Sequence, residues 1–218
     1  MNCSCVEWEL KNRLSMRISL KAKCKLLLYV PVEWIWILVY RFSSQRVKID
    51  MDLERFCQVH YRCSVGSKQL LLLLLEIAVG TGEFRSLFLF RIGKSRHFLK
   101  YLMPKGAVLL GFDVPREKLG GGLFIQHGYC TDLSARAIGE NCWINQRVTL
   151  GYKGDECPTI GNNVSIGVGA VVLGGVKIGN NVKIGANAIV VHDVPDNCTV
   201  CSPAATIVRK REAEDKNE

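Results

Sequence analysis

A histidine closes the apolar run in GGGLFIQHGYC, Gly120 to Cys130. Its imidazole titrates near neutral pH and so can take or give a proton in a reaction. Buried, it would need hydrogen-bonding partners; on the surface it would need no such framing. A second cluster, CQVHYRC, sets Cys57, His60 and Cys63 three residues apart, nearly one face of a helix. That spacing could hold a metal ion, but no fourth ligand is evident, and buried thiols beside a helix-face histidine are the expected reading. CTVC, Cys198 to Cys201, has redox spacing. The ten cysteines are irregularly spaced, however, and reduced thiols are the default in a cytoplasm.

These groups sit in a chain long enough to bury a core, with one or two domains. The net charge of +9 is uneven. Residues 1–118 hold the basic excess, whereas residues 119–208 carry 5 basic and 6 acidic side chains. Such an excess favours anionic lipid or acidic partners; no nucleic-acid-binding motif accompanies it, so nucleic acid is not an expected partner. The most apolar run is LLLYVPVEWIWILVY, Leu26 to Tyr40. With Pro31 and Glu33 inside it, the run falls short of a bilayer span, and it lacks the flanks of a signal peptide. It fits an interfacial helix, with Lys21, Lys23 and Lys25 at lipid headgroups, or a helix packed against another subunit. Met51 offers an alternative start.

Residues 51–106 read as amphipathic helices punctuated by VGTGE (79–83) and PKG (104–106). Beyond them the pattern changes. TIGNNVSIGVGAVVLGGV (159–176) matches KIGNNVKIGANAIVVHDV (177–194) at ten of 18 positions, and the inner rhythm is six. Ile160, Ile166, Val172, Ile178, Ile184 and Val190 keep that beat, preceded by Ile138, Ile144 and Leu150. Four places after each of the six stand Val164, Ala170, Val176, Val182, Ala188 and Val194. A period of six predicts a parallel β-helix, three short strands to a coil, with aliphatics stacked about 4.8 Å apart. Asn162-Asn163 and Asn180-Asn181 suit corners that need positive φ. The beat breaks between Leu150 and Ile160, where YKGDECP should bulge, and between Ile125 and Ile138, beside His127. Insertions on a solenoid tend to sit where function does.

The repeats, GxGLxIxHG at Gly120 to Gly128 and IGENCWINQRVTLG at Ile138 to Gly151 together resemble the hexapeptide-repeat acyltransferases, and within them the serine acetyltransferase-like group. The resemblance covers roughly residues 83 to 208 and implies a mainly β fold, a left-handed parallel β-helix after an α-helical region. The division expected is a basic, apolar extension (1–50), a helical region (51–106), the β-helix domain (107–208) and a charged tail (209–218). A homotrimer with active sites in the grooves between prisms is implied, with a dimer of trimers left open.

The resemblance also implies acetyl-CoA as co-substrate, with no metal, and direct transfer to a small-molecule hydroxyl while both substrates are bound. His127 takes the family's catalytic position and so the role of general base. Asp113 in GFDVPREK is the candidate to orient it, with Glu117 in reserve. Gln126 and Cys157 stand where the serine enzymes carry other residues, and they become candidate acceptor contacts. Gly167, Gly185 and Ala186 would let backbone approach the pantetheine arm, and Arg209 and Lys210 would meet the 3′-phosphate. The activity implied is serine O-acetylation for cysteine biosynthesis in the cytoplasm. A sugar or polysaccharide O-acetyltransferase near a membrane is the alternative within the chemistry. A metal-dependent lyase on this solenoid would need three converging histidines, and the repeat region offers His127 and His192. A non-catalytic scaffold is the remaining reading.

Overall fold

The computed structural model describes residues 34–62, 64–66, 73, 81–93 and 110–206. From Leu110 the chain winds through thirteen short strands. They are β1 (Leu110–Asp113), β2 (Phe124–Gln126), β3 (Thr131–Ser134), β4 (Ala137–Ile138), β5 (Trp143–Asn145), β6 (Thr149–Gly151) and β7 (Thr159–Ile160). After them come β8 (Ser165–Ile166), β9 (Val171–Leu173), β10 (Lys177–Ile178), β11 (Lys183–Ile184), β12 (Ile189–Val190) and β13 (Thr199–Val200). Three sheets result, ordered β1-β3-β6-β9-β12, β2-β5-β8-β11-β13 and β4-β7-β10. Every strand pairing is parallel. Bridges at Leu119–Ile138 and Ile178–Val194 extend the third sheet at both ends. This is the three-sided parallel solenoid that the sixfold beat predicts, and it is consistent with a left-handed β-helix.

The register stacks like on like. Ile125, Ile144, Ile166, Ile184 and Val200 form one ladder, and Leu133, Leu150, Val172 and Val190 another. The residues four places on in the repeat, Val164, Ala170, Val182 and Ala188 among them, turn inward at the corners and are buried as well. Each coil thus hides two side chains per face, so a two-residue strand suffices. Glycine is compulsory where backbones meet at a corner: a methyl on Gly139 would lie 2.5 Å from the Gly161 carbonyl group.

In the asparagine pairs, positive φ falls on the second member only, at Asn163 and Asn181, with Asn141 and Asn197 continuing that corner. The first members work through their side chains. Asn162 Oδ1 accepts from the Glu140 N–H at 2.8 Å, and Asn180 Oδ1 accepts from the Asn162 N–H at 2.9 Å. A ladder of side-chain bonds therefore joins the backbone bonds that cross the same corner, such as Asn163 N–H to the Glu140 carbonyl at 2.8 Å and Asn181 N–H to the Asn162 carbonyl at 2.9 Å.

Two helices pack against the first coil: α1 (Arg46–Tyr61) and α2 (Gly82–Ile92). Residues 34–41 are also helical, with Trp36 buried edge-on against Phe88 while Trp34 and Leu38 stay exposed. The remainder of the apolar run lies outside the described residues, as do the helical stretch read at 67–79 (apart from Leu73, which is helical and buried) and the part of the stretch read at 83–103 that follows Gly93. Phe56 of α1 meets Phe84 of α2 at 5.2 Å and Phe124 of β2 at 4.8 Å; Phe90 of α2 stacks on Phe112 of β1 at 4.5 Å.

Polar contacts set the register of this packing. Arg91 of α2 donates from Nη1 and Nη2 to the Leu119 and Gly120 carbonyls at 2.8 and 2.5 Å. Lys48 of α1 donates from Nζ to the Glu117 and Leu119 carbonyls, both at 2.8 Å. The glycine-rich segment that leads to His127 is therefore gripped by both helices.

Candidate functional site

Ile125 and Leu133 are successive inward positions of the first coil, yet eight residues separate them where the repeat allows six. Leu133 to Ile138 is then five, which accounts for the single extra residue counted across both steps. The two additional residues are His127 and Gly128. Cys130 carries the positive φ that Arg147, Gly169 and Asn187 carry at the same corner on later coils. His127 has its own left-handed backbone, φ 56°, outside that series. The loop it makes is closed by the Tyr129 N–H donating to the His127 carbonyl at 2.5 Å, and tied upward by the Arg147 N–H to the Tyr129 carbonyl at 3.0 Å.

His127 itself is exposed, whereas Gly128 is buried. A methyl on Gly128 would meet Leu110 Cδ2 at 2.6 Å, Ile125 Cγ2 at 2.9 Å and Glu83 Cγ at 3.4 Å. The small residue after the histidine is thus required by close packing, which pins the backbone while the ring faces solvent. Among the described residues no hydrogen bond holds the ring.

Asp113 stands at the far end of β1 from Leu110, so about 10 Å along the strand from the His127 loop. Its Oδ2 accepts from the Tyr152 hydroxyl at 3.0 Å. That bond, with the carboxylate's charge, raises the Tyr152 phenol above its ordinary value, and Cys157 adds in the same direction. Asp113, Tyr152 and Cys157 therefore form one group at the base of the loop 152–158, which is the bulge expected in YKGDECP. The loop turns on a Lys153–Glu156 bridge and lies back over Gly174 and Gly175 of the next coil. Asp113 and Cys157 are brought together, and His127 stands apart from them within one chain. Glu117 is exposed in the short 3-10 turn Arg116–Lys118.

Gln126 Oε1 accepts from Trp143 Nε1 at 3.1 Å, and the Trp143 ring lies 4.5 Å from Phe124. Gly167 and Gly185 occupy equivalent corners on successive coils: a methyl on Gly167 would sit 2.6 Å from the Ala186 nitrogen. Their smallness is thus needed for coil stacking, and the exposed Ala186 stands beside them. Arg209 and Lys210 lie outside the described residues. Of the metal-spaced cluster, Cys57 is buried, the His60 ring lies 5.6 Å from Phe124, and Cys63 lies outside the described residues. Among the described residues no group of three metal-ligating side chains converges, and no helix is long and apolar enough to cross a membrane.

Two features escaped the sequence reading: Glu83, which approaches the His127 loop from α2, and Tyr152. Tyr152 lies in the quoted bulge, and its proximity to Asp113 depends on β1 and β6 both flanking β3.

The chain matches the model of the bacterial transferase hexapeptide (six repeats) family over residues 157–192. It is 45% identical to the serine acetyltransferase of Synechococcus elongatus over 109 residues, 47% of this chain and 45% of that protein. To the serine acetyltransferase of Helicobacter pylori it is 37% identical over 110 residues, 47% of this chain and 64% of that one. The chain therefore spans about half to two thirds of the length of these curated relatives. Among solved structures, Neisseria gonorrhoeae serine acetyltransferase in complex with serine superposes with a TM-score of 0.58 at 28% identity, covering 79% of this chain and 73% of that one. A serine acetyltransferase in complex with CoA gives a TM-score of 0.56 at 23% identity, covering 78% and 72%, a likeness of fold alone.

Proposed function

We propose that the chain, which is similar to serine acetyltransferases and matches the hexapeptide family model over residues 157–192, is an acetyl-CoA-dependent O-acetyltransferase in which His127 is the general base. The observation that carries this reading is the exposed histidine on a two-residue insertion in the first coil. A structural histidine would be buried and bonded. This one is presented to solvent on backbone fixed by Gly128.

The acceptor hydroxyl gives its proton to His127 as its oxygen attacks the thioester carbonyl. Coenzyme A leaves as the thiolate and takes up a proton, so no acyl-enzyme forms. Gly167, Gly185 and Ala186 are the candidates to lie along the pantetheine arm, with Arg209 and Lys210 toward the 3′-phosphate. Asp113 and Glu117 are the carboxylates that the sequence offers for orienting the base. Serine is the first acceptor, on the strength of the relatives' names. A homotrimer would supply the groove, and a cytoplasmic setting fits this substrate.

One observation favours a sugar hydroxyl as a second reading. The loop that would face the acceptor presents Tyr152 bonded to Asp113, together with Glu156 and Cys157. These groups bond well to hydroxyls, whereas Glu156 would repel an amino acid's carboxylate. The exposed apolar side chains Trp34, Leu38 and Phe42 would then suit contact with a membrane surface. Loss of thioester absorbance from acetyl-CoA, followed with L-serine and with a panel of sugars, separates the two. Turnover with serine supports the first reading, and turnover with sugars alone supports the second.

A further inference from the structure

We infer that the outer face of the helix at residues 34–41, continued by Phe42 and Val47, docks the protein on an anionic membrane surface. Trp34, Leu38, Arg41 and Phe42 stand three or four residues apart and so share one side of the helix. All four are exposed, Trp34 by 63% and Phe42 by 83%. Ile35 beside them and Val47 near the start of α1 are exposed as well. A single apolar side chain in water is ordinary, but five this close in the chain make a patch that marks a contact surface.

The opposite side of the helix is pinned to the protein. Trp36 is buried edge-on against Phe88, with ring centroids 5.8 Å apart. Tyr40 is buried too; its hydroxyl donates to Asp50 Oδ1 at 2.6 Å, and the Arg46 guanidinium lies 5.3 Å from its ring. Lys48, next to Val47, is tied to the Glu117 and Leu119 carbonyls. The helix cannot roll its outer stripe inward without giving up these contacts. The stripe is therefore a fixed surface, and the contact it makes is interfacial, because the inner side stays on the protein.

Charge selects the occupant. From residue 10 to residue 49 the sequence carries nine basic side chains and one acidic, Glu33. The next acidic residue, Asp50, is engaged by Tyr40. A second copy of the chain would meet this patch through a twofold contact, which sets a patch against itself and brings basic groups toward basic groups. An anionic headgroup layer suits both parts of the surface. Trp34, Leu38 and Phe42 enter the acyl boundary while Arg41 and its basic neighbours stay among the phosphates. The docking holds whichever hydroxyl is the acceptor.

The test is co-sedimentation of the full chain with vesicles of phosphatidylcholine alone and of phosphatidylcholine mixed with phosphatidylglycerol. The wild type should pellet with the mixed vesicles, less so as salt rises, and stay in solution with the neutral ones. Trp34→Ala combined with Phe42→Ala leaves every basic residue in place and should weaken the partition at least about 10-fold. Arg41→Gln should weaken it about 5-fold. Tm should hardly move in either variant, since the three side chains are exposed.

A wild type that stays in solution with both kinds of vesicle overturns the inference, and so does equal pelleting with both. A double variant that pellets like the wild type overturns it as well, since the basic residues alone would then bind. So does a double variant whose mass in solution, by light scattering, falls below that of the wild type, because a second copy would then cover the face. Should the double variant fail to fold, Leu38→Gln takes its place, and pelleting at the wild-type level would overturn the inference. None of these readouts involves acetyl transfer, so the outcome is separate from the role of His127.

Discussion

Arg91 and Asp52 form a sealed ion pair: Nε donates to Oδ2 at 2.9 Å and Nη2 to Oδ1 at 3.2 Å, with side chains 0% and 2% exposed. Asp52 Oδ1 also accepts from the Leu123 N–H at 3.0 Å. One pair thus joins α1, α2 and the glycine-rich approach to His127. Truncating either partner leaves the other charge buried alone. Asp52→Ala or Arg91→Ala should cost about 3–5 kcal/mol in urea denaturation. A loss below about 1 kcal/mol would show that the pair does not hold the helices to the coil.

The same pair makes stability depend on pH. Burial pushes Asp52 up to about 6 from 3.8, against the opposing pull of Arg91. With the folded pKa above the unfolded one, the Asp52 contribution is full below pH 3.8 and is lost as pH rises through about 6. Relative to Asp52→Asn, the wild type should lose part of its margin as pH rises from about 4 to 7. Parallel denaturation curves of the two proteins would measure this, and a margin that grows with pH would contradict it.

Corner glycines should be intolerant in proportion to what their Cβ meets. Gly139→Ala places a methyl against the immovable Gly161 backbone and should cost about 1–3 kcal/mol, read as a lowered Tm. At Gly154, in the loop, an added Cβ meets nothing within 4 Å, and only its φ of 62° is strained. Gly154→Ala should therefore cost less, about 1 kcal/mol. Equal losses at both sites would speak against backbone stacking as the reason for glycine.

Tyr152→Phe removes the hydroxyl that meets Asp113. Tyr152 is 49% exposed, so Tm should hardly move. If this loop contacts the acceptor, the acceptor KM should rise about 2- to 10-fold with the acetyl-CoA KM unchanged, the worth of one hydrogen bond. An unchanged acceptor KM would remove the loop from the site.

The solenoid was legible because its physics is local and repeated. Ile160, Ile166 and Val172 each report an inward position, and the next coil repeats the message. The displaced beat around His127 was equally readable, and it resolved into one step of eight and one of five. The contacts that cross between the halves were not legible. Nothing in DLERFC or LFLFRIG pairs Asp52 with Arg91, since that contact depends on how two helices lie across the first coil. Asp113 was singled out by resemblance as the partner of His127, and its bond with Tyr152 was not legible, because that contact depends on β1 and β6 both flanking β3.

The most direct test is the rate at which thioester absorbance of acetyl-CoA falls in the presence of L-serine or a sugar acceptor, wild type beside His127→Ala. Removing a general base should lower kcat by roughly 100- to 10,000-fold, with Tm and acetyl-CoA affinity retained. A His127→Ala protein that transfers acetyl groups at the wild-type rate would contradict the account.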